Sequence, residues 1–302
     1  MNIITYLFTN GSFLNKENVR LLQGKDIKIY VSIDGVKESN DKYRKIRGSK
    51  NSAFEVVIKN LEKLSDKQKS RMGINMVVGP ENCSFLMENI KFFHKMGFYS
   101  IDLSLLGYYA WPLRATKQLE KELEKFIKHY KRIFYRFSKE KPFFMYQLAW
   151  ISNGKWGYMD KCDRIKIGPD GRFYFCDAFF SADSEKRAQF SIGDIKAGFD
   201  ISKIDALKKE ARENIQKIFP SRFSEHEFNK RIYCPYGVYY YAKVNNQEIN
   251  ELLKRFYESS GIYSKFIFKL YNSLKNNEKF KEFYAIKNKE KGSECLETVT
   301  CK

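Results

Sequence analysis

The sequence predicts an α/β protein: a parallel sheet with crossover helices, doubly wound or barrel-like, followed by a smaller α+β region. Three observations lead there. Short β-rich runs alternate with helical patterns over roughly the first hundred residues. A long amphipathic helix comes next, with apolar residues at three- and four-residue steps. Beyond residue 140 the alternation gives way to a hairpin pattern and further helical stretches.

The run IITYLF (3–8) is the first strand, closed by a turn at Asn10-Gly11 and a short helix through Val19 and Leu22. IKIYVSI (27–33) is the second, and after a polar loop Phe54, Val57, Ile58, Leu61 and Leu64 mark one face of a helix. INMVV (74–78) leads to a helix that starts near Asn82 and carries Phe85, Ile90 and Phe93, and SIDLSLL (100–106) is the fourth strand. Parallel neighbours need such crossovers. Leu119, Leu123, Phe126, Ile127, Tyr130, Ile133, Phe134 and Phe137 trace the long helix, which ends before Lys141-Pro142. FFMYQLAW reads as β-like, Gly-Pro-Asp-Gly centres a hairpin, and helices are expected near 202–217, 245–258 and 262–275. The boundaries are a first domain over 1–140, a second over 141–285 and a flexible tail over 286–302.

Composition bounds the function classes. With 302 residues, 43% hydrophobic and 16% aromatic, the chain can bury a sizeable core. No apolar run approaches the roughly 18 to 20 residues of a membrane span, and the first nine residues lack the form of a secretory signal. The expected location is the cytoplasm, with no membrane partner. A formal charge of +19 would suit a phosphate-bearing partner, but the lysines are spread along the chain among abundant Asn, Ile, Phe and Tyr. That is the mark of a compositional bias, and nucleic acid is not the expected partner. Six cysteines, at 83, 162, 176, 234, 295 and 301, are too few for a disulfide scaffold and point to metal or redox work. The three histidines are far apart in sequence, which gives a histidine-rich zinc site little support.

In open α/β sheets ligands bind at the carboxyl ends of the strands. Here those ends read FTNG, VSIDG, VVGPEN and LSLLG. Ser32 and Asp34 share one face as the second strand exits, and Asp41 and Arg44 follow in the same loop, where a guanidinium can clamp a carboxylate. A plain turn at Asp34-Gly35 and a surface pair of Asp41 with Arg44 is the other reading. Further on, DKCDRIKIGPDGRFYFCDAFF sets Cys162 and Cys176 around a tight turn, each followed by an acid.

In order and spacing, FTNGSFL, VSIDGVKESNDKYRKIRG, a helix, INMVVGPEN and the strand at 101–106 resemble the later half of the partial TIM barrel of radical S-adenosylmethionine (SAM) enzymes. The branch they are similar to includes anaerobic sulfatase maturases and peptide-modifying enzymes. The resemblance implies an incomplete (β/α) TIM-like barrel of the later strands only. It also implies that Ser32 and Arg44 contact SAM, with Asp34 in the same S-x-D-G segment and Asn10 at the mouth of the preceding strand. Cys162, Gly171 and Cys176 form a C-x8-G-x4-C pattern similar to the opening of a SPASM or twitch domain, FSIGDI (190–195) looks like the segment after it, and RIYCPYG supplies Cys234. By that resemblance Cys162, Cys176 and Cys234 ligate an auxiliary iron-sulfur cluster of 4Fe-4S type, and Asp177 takes a proton from a peptide or protein substrate. Read by themselves, the same residues also fit buried structural thiols and an ordinary strand-end acid.

The sequence departs from that pattern. The family's C-x3-C-x2-C loop, whose thiolates hold the SAM-cleaving cluster, and its G-G-E-like strand end do not occur in the 302 residues, and the first strand here matches the family's third. Gly237 stands where a further ligand is expected after Cys234, so the ligand set is incomplete at three unless Cys295 or Cys301 joins it. A first strand without an outer neighbour is also an exposed edge. The expectation is a radical SAM/SPASM-like relative of side-chain-modifying oxidoreductases, truncated or split and inactive alone, its other half lying upstream or on a partner chain. The alternatives are a degenerate, non-catalytic peptide-binding or scaffold subunit, and a basic RNA-binding protein.

Overall fold

The computed structural model describes residues 5–25, 27–106, 111–135, 141–152, 165–219 and 234–290. They divide into two units, one of Met1–Leu106, Trp111–Gly154 and Lys265–Lys302, the other of Gly107–Ala110 and Lys155–Ser264.

In the first unit β1 (Tyr6–Thr9), β2 (Lys28–Ser32), β3 (Gly73–Val78) and β4 (Ile101–Leu105) form one sheet in that spatial order, every pair parallel. Each strand pairs with its predecessor, so the chain must cross back between them, and helices make the crossings. These are α1 (Lys16–Gly24); α2 (Lys37–Tyr43), α3 (Ala53–Glu62) and α4 (Asp66–Ser70); and α5 (Leu86–Lys95). Side chains start three of them: Asn15 Oδ1 accepts from Asn18 N at 2.8 Å, Ser52 Oγ from Glu55 N at 3.2 Å, and Ser65 with Gln68 makes a capping box. Each such cap contributes about 1 kcal/mol. Ile74, Met76, Val78, Ile101 and Leu103 are buried, while Asn75, Val77, Asp102 and Ser104 between them are half-buried. The period of two thus leaves one sheet face in the core and the other, lined with polar groups, more open.

Two elements complete the chain's middle: α6 (Leu113–Phe134) and α7 (Tyr146–Ser152). FFMYQLAW is strand-like only at its start. Phe144 N donates to Tyr99 O at 2.8 Å and Ile101 N to Phe144 O at 3.0 Å; the chain then turns into α7, burying Leu148, Ala149 and Ile151 at helical spacing. Aromatic content suggested a strand, and packing decided for a helix.

The second unit holds a small antiparallel sheet of β5 (Lys166–Ile167), β6 (Arg172–Tyr174), β7 (Gly193–Asp194) and β8 (Gly198–Phe199). The β5–β6 hairpin closes as expected on Gly-Pro-Asp-Gly: Gly171 adopts φ +72°, Gly168 N donates to Arg172 O at 2.8 Å, and Asp170 accepts from Tyr174 OH at 2.9 Å. Helices α8 (Ser184–Ala188), α9 (Ile201–Ile218) and α10 (Pro235–Val244) follow. Tyr174, Phe175, Phe179, Tyr240 and Phe256 lie in their common core, Phe179 stacking on Phe190 at 4.7 Å. Burying such a ring contributes about 1.5–3 kcal/mol.

Helix α11 (Ile249–Leu274) is one helix where the sequence suggested two, and its residues belong to the second unit up to Ser264 and to the first from Lys265. The Ser-Ser-Gly at 259–261 does not break it, because buried Ser264 returns its hydroxyl to Ser260 O at 2.8 Å. Helix α12 (Glu278–Glu290) packs in the first unit, where Tyr284 OH lies 2.8 Å from Tyr130 OH and Tyr130 OH donates to Phe143 O at 2.7 Å. Among the described residues no helix is long and apolar enough to cross a membrane.

Candidate functional site

Strand β2 leaves the sheet at Ser32, and the next residues build the site. Asp34 is 2% exposed. A carboxylate that deep needs partners, and it has two hydrogen-bond donors on Oδ1 and an ion-pair contact at Oδ2. Val77 N of β3 donates to Oδ1 at 2.9 Å, taking up an N–H beyond the last register pair of β2 with β3; Arg44 Nη2 donates to the same oxygen at 2.9 Å; and Arg44 Nε lies 2.8 Å from Oδ2, close enough for an ion pair but not aligned as a hydrogen bond. Asp34 N in turn donates to Asn40 Oδ1 at 3.0 Å.

The loop after Asp34 is fixed from behind by Asn89 of α5. Its Nδ2 donates to Asp34 O at 3.0 Å and Ser39 Oγ at 2.8 Å, and its Oδ1 accepts from Val36 N at 3.0 Å. Gly35 takes φ +132°, and a Cβ there would fall about 2.0 Å from the Asn89 side chain. Asp41 does not meet Arg44. It caps α3 instead, accepting from Ser52 Oγ at 2.5 Å and Phe54 N at 3.2 Å. The carboxylate paired with Arg44 is Asp34.

Ser32 is half-buried and in register with Asn75 of β3, which is in register with Asp102 of β4. Asn75 Nδ2 donates to Ser32 Oγ at 3.4 Å, and buried Gln147 of α7 donates to Leu103 O at 2.9 Å and Asp102 Oδ1 at 3.4 Å. A polar row therefore crosses three strands on the more open face. Beside it Tyr30 stacks on Phe8 with ring centres 5.3 Å apart and shares a 3.0 Å bond with Ser100 Oγ; burial pushes its phenol up to about 12. Asn10 lies just past β1, exposed, its Oδ1 accepting from Ser12 N at 3.1 Å and Ser12 Oγ at 2.7 Å. Asn75, Asp102, Gln147 and Asn89 were not singled out in the sequence. Asn89 alone left a signal, an amide inside the apolar run of α5.

In the second unit Cys176 ends the hairpin and Cys234 caps α10, with Pro235 at its first position. Both are half-buried, free of disulfides and packed on the same aromatic core. Asp177 is exposed and pairs with Lys166 Nζ at 2.7 Å. Cys162, the third candidate ligand, lies outside the described residues, as do Cys295 and Cys301. Among the described residues no three His, Cys, Asp or Glu side chains come together as a metal site. Buried Cys83 belongs to neither site: burial pushes its thiol up to about 11, and it lies 3.5 Å from Pro80 O.

No protein-family model matches the chain. One curated relative, the cysteine-type anaerobic sulfatase-maturating enzyme of Clostridium novyi (strain NT), is 28% identical over 98 residues. That alignment covers 32% of this chain and 26% of the relative, about a quarter of its length. Among solved structures, native anSMEcpe with bound AdoMet aligns at a TM-score of 0.61 and 18% identity over 90% of this chain and 76% of that one. Native anSMEcpe with AdoMet and the Cp18Cys peptide aligns at 0.58 and 18% over 90% and 77%, and with the Kp18Cys peptide at 0.57 and 17% over the same shares. The chain thus resembles the anaerobic sulfatase maturases among radical SAM enzymes and shares their fold.

Proposed function

We propose, from that resemblance, that the chain is a radical SAM/SPASM-like protein of the kind that modifies a side chain of a peptide or protein, and that alone it does not cleave SAM. The observation that carries this reading is the Asp34–Arg44 pair tied to β3 beside Ser32, at the carboxyl end of a parallel sheet with the fold of an AdoMet-bound enzyme. There Ser32 would hydrogen-bond the cofactor, and Arg44, its direction set by Asp34, would offer its remaining N–H donors to an oxygen of it. Asn10 stands at the neighbouring strand end for the same use.

The six cysteines include no C-x3-C-x2-C, so these residues do not fit the SAM-cleaving cluster and no step is assigned to one. Cys176 and Cys234 do fit an auxiliary iron-sulfur cluster in their chemistry. Both are soft donors, half-buried against one apolar core, and Cys234 stands where the N–H groups of α10 favour an anionic sulfur. With Cys162 they would hold a 4Fe-4S type cluster, which when bound supplies an electron acceptor. Asp177 would accept a proton from the peptide side chain, and must first part from Lys166.

Two measurements test this. Anaerobically reduced chain incubated with SAM should yield no 5'-deoxyadenosine; its formation overturns the inactivity. After reconstitution, iron and sulfide should be lost in Cys176→Ala and Cys234→Ala and kept in Cys83→Ala. One observation favours the second reading, a degenerate, non-catalytic peptide-binding or scaffold subunit: the loop of Asp34, Asn40, Arg44 and Asn89 satisfies itself with no cofactor. Iron-free protein that also fails to retain SAM in equilibrium dialysis would decide for the scaffold.

A further inference from the structure

We propose that the outer face of the β5–β8 sheet is where a second copy of this chain docks, face to face across a two-fold axis. Register assembles that face, because residues directly opposite one another in an antiparallel sheet share a side. Ile167 stands opposite Phe173, Phe173 opposite Gly193, and Gly193 opposite Phe199, so one row crosses all four strands. Gly193 puts no side chain into the row, and the rings of Phe173 and Phe199 meet across it with centres 6.2 Å apart. Ile195 joins the same face: its N–H donates to Gly171 O at 3.0 Å, and its Cδ1 lies 3.5 Å from where a Cβ on Gly171 would stand.

The opposite side of the sheet faces the core, where Tyr174 and Ile192 are fully buried. The outer side is bare. Ile167 is 64% exposed, Ile195 66% and Phe199 42%, and Ile201, two residues beyond Phe199, is 53% exposed. Side chains exposed to that degree amount to an apolar patch on the order of 400 Å², in the range where the largest patch on a chain is often functional. A homodimer interface takes about 800 Å² from each partner and is about 65% apolar, so this patch supplies the greater part of the apolar area required.

Charge selects the occupant. Residues 165–205, which carry the patch, hold six Lys or Arg against seven Asp or Glu, whereas the whole chain holds 55 against 36. The surplus of +19 therefore lies wholly elsewhere. An acidic partner or a nucleic acid is drawn to those other surfaces. Two copies repel least where their faces are locally balanced, and a two-fold contact lets the acids of one rim meet the bases of the other. This face lies on other elements than the Ser32–Arg44 loop, and its assignment does not depend on the function proposed for that loop.

The test is sedimentation velocity of the full chain at about 0.15 M salt, over chain concentrations from about 1 to about 100 μM. The mass should rise from one chain to two and stop there, because a two-fold contact closes on itself. Ile167→Lys/Ile195→Lys, which sets charge into the patch, should weaken the dimer about tenfold or more. Ile167→Gln/Ile195→Gln should weaken it in the same direction without adding charge, and decides the matter if the Lys pair alters the circular dichroism spectrum. Phe13→Lys, at an apolar position 86% exposed and outside this sheet, should leave the dimer within about twofold. The proposal is overturned if the parent chain stays single at the highest concentration, if the mass grows past two chains, or if Phe13→Lys weakens the dimer as much as the paired substitutions do.

Discussion

At Asp34 a carboxylate shut off from water answers a strand N–H and a guanidinium, and the energetics of that exchange can be tested by removing one partner at a time. Arg44→Met leaves the charge buried with only Val77 N and should cost about 3 kcal/mol, at the low end for a broken buried pair because Arg44 keeps some contact with water. Asp34→Asn removes the charge itself and should cost less; urea unfolding of the two variants gives the order. If Arg44→Met is as stable as the parent, the pair does not hold the loop. Thiol chemistry makes a second residue-scale prediction: with its thiol held at about 11, Cys83 should resist alkylation at pH 8 while half-buried Cys176 and Cys234 label, as read by peptide mass spectrometry. Ser32, Asp34 and Arg44 were legible because they punctuate a strand end. The partner of Arg44 was not, because Asp41 and Asp34 are equally good acids on paper and only burial separates them.

Between elements, the most telling contact is the clasp of α9 on α10 at Glu210. Burial works against its charge, but Lys243 Nζ, Tyr239 OH at 2.8 Å and Tyr240 OH at 3.5 Å more than offset that and hold the carboxyl below its usual range. A group that titrates lower folded than unfolded stabilises the fold above the unfolded range, and that contribution is lost as pH falls through the folded value. Glu210→Gln should therefore cost about 1–2 kcal/mol at neutral pH, with the gap closing on acidification, as followed by denaturant titrations across pH. The alternation of strands and helices was legible from period alone, since β1 to β4 are short β-rich runs separated by apolar residues at helical spacing. Helix α10 was hidden for the opposite reason: Val-Tyr-Tyr-Tyr favours strands locally, and a core that takes up nearly every side chain of the segment overrides it. The continuity of α11 was hidden too, because the bond from Ser264 to Ser260 O is invisible until the helix exists.

For the whole molecule the governing quantity is the charge of +19. Self-repulsion on that scale weakens a folded chain, and salt relieves it by shortening the screening length from about 30 Å at 0.01 M to about 8 Å at 0.15 M. The melting temperature should rise by about 2–4 °C over that range, equivalent to about 1 kcal/mol; a flat response would mean that the lysines are already well separated. Among the described residues β1 is an edge strand, and its outer side gives the same change of salt a second effect. Tyr6–Thr9 carries no charge and no proline, Phe8 is 54% exposed, and Phe13 and Leu21 just beyond are 86% and 60% exposed. Such an edge is a template for another strand, and like charge is what keeps two copies apart. The brine that firms each molecule also lets the edges meet, so the protein has a window of storage conditions rather than a single direction of improvement, and turbidity should climb on the high-salt side before any unfolding is seen.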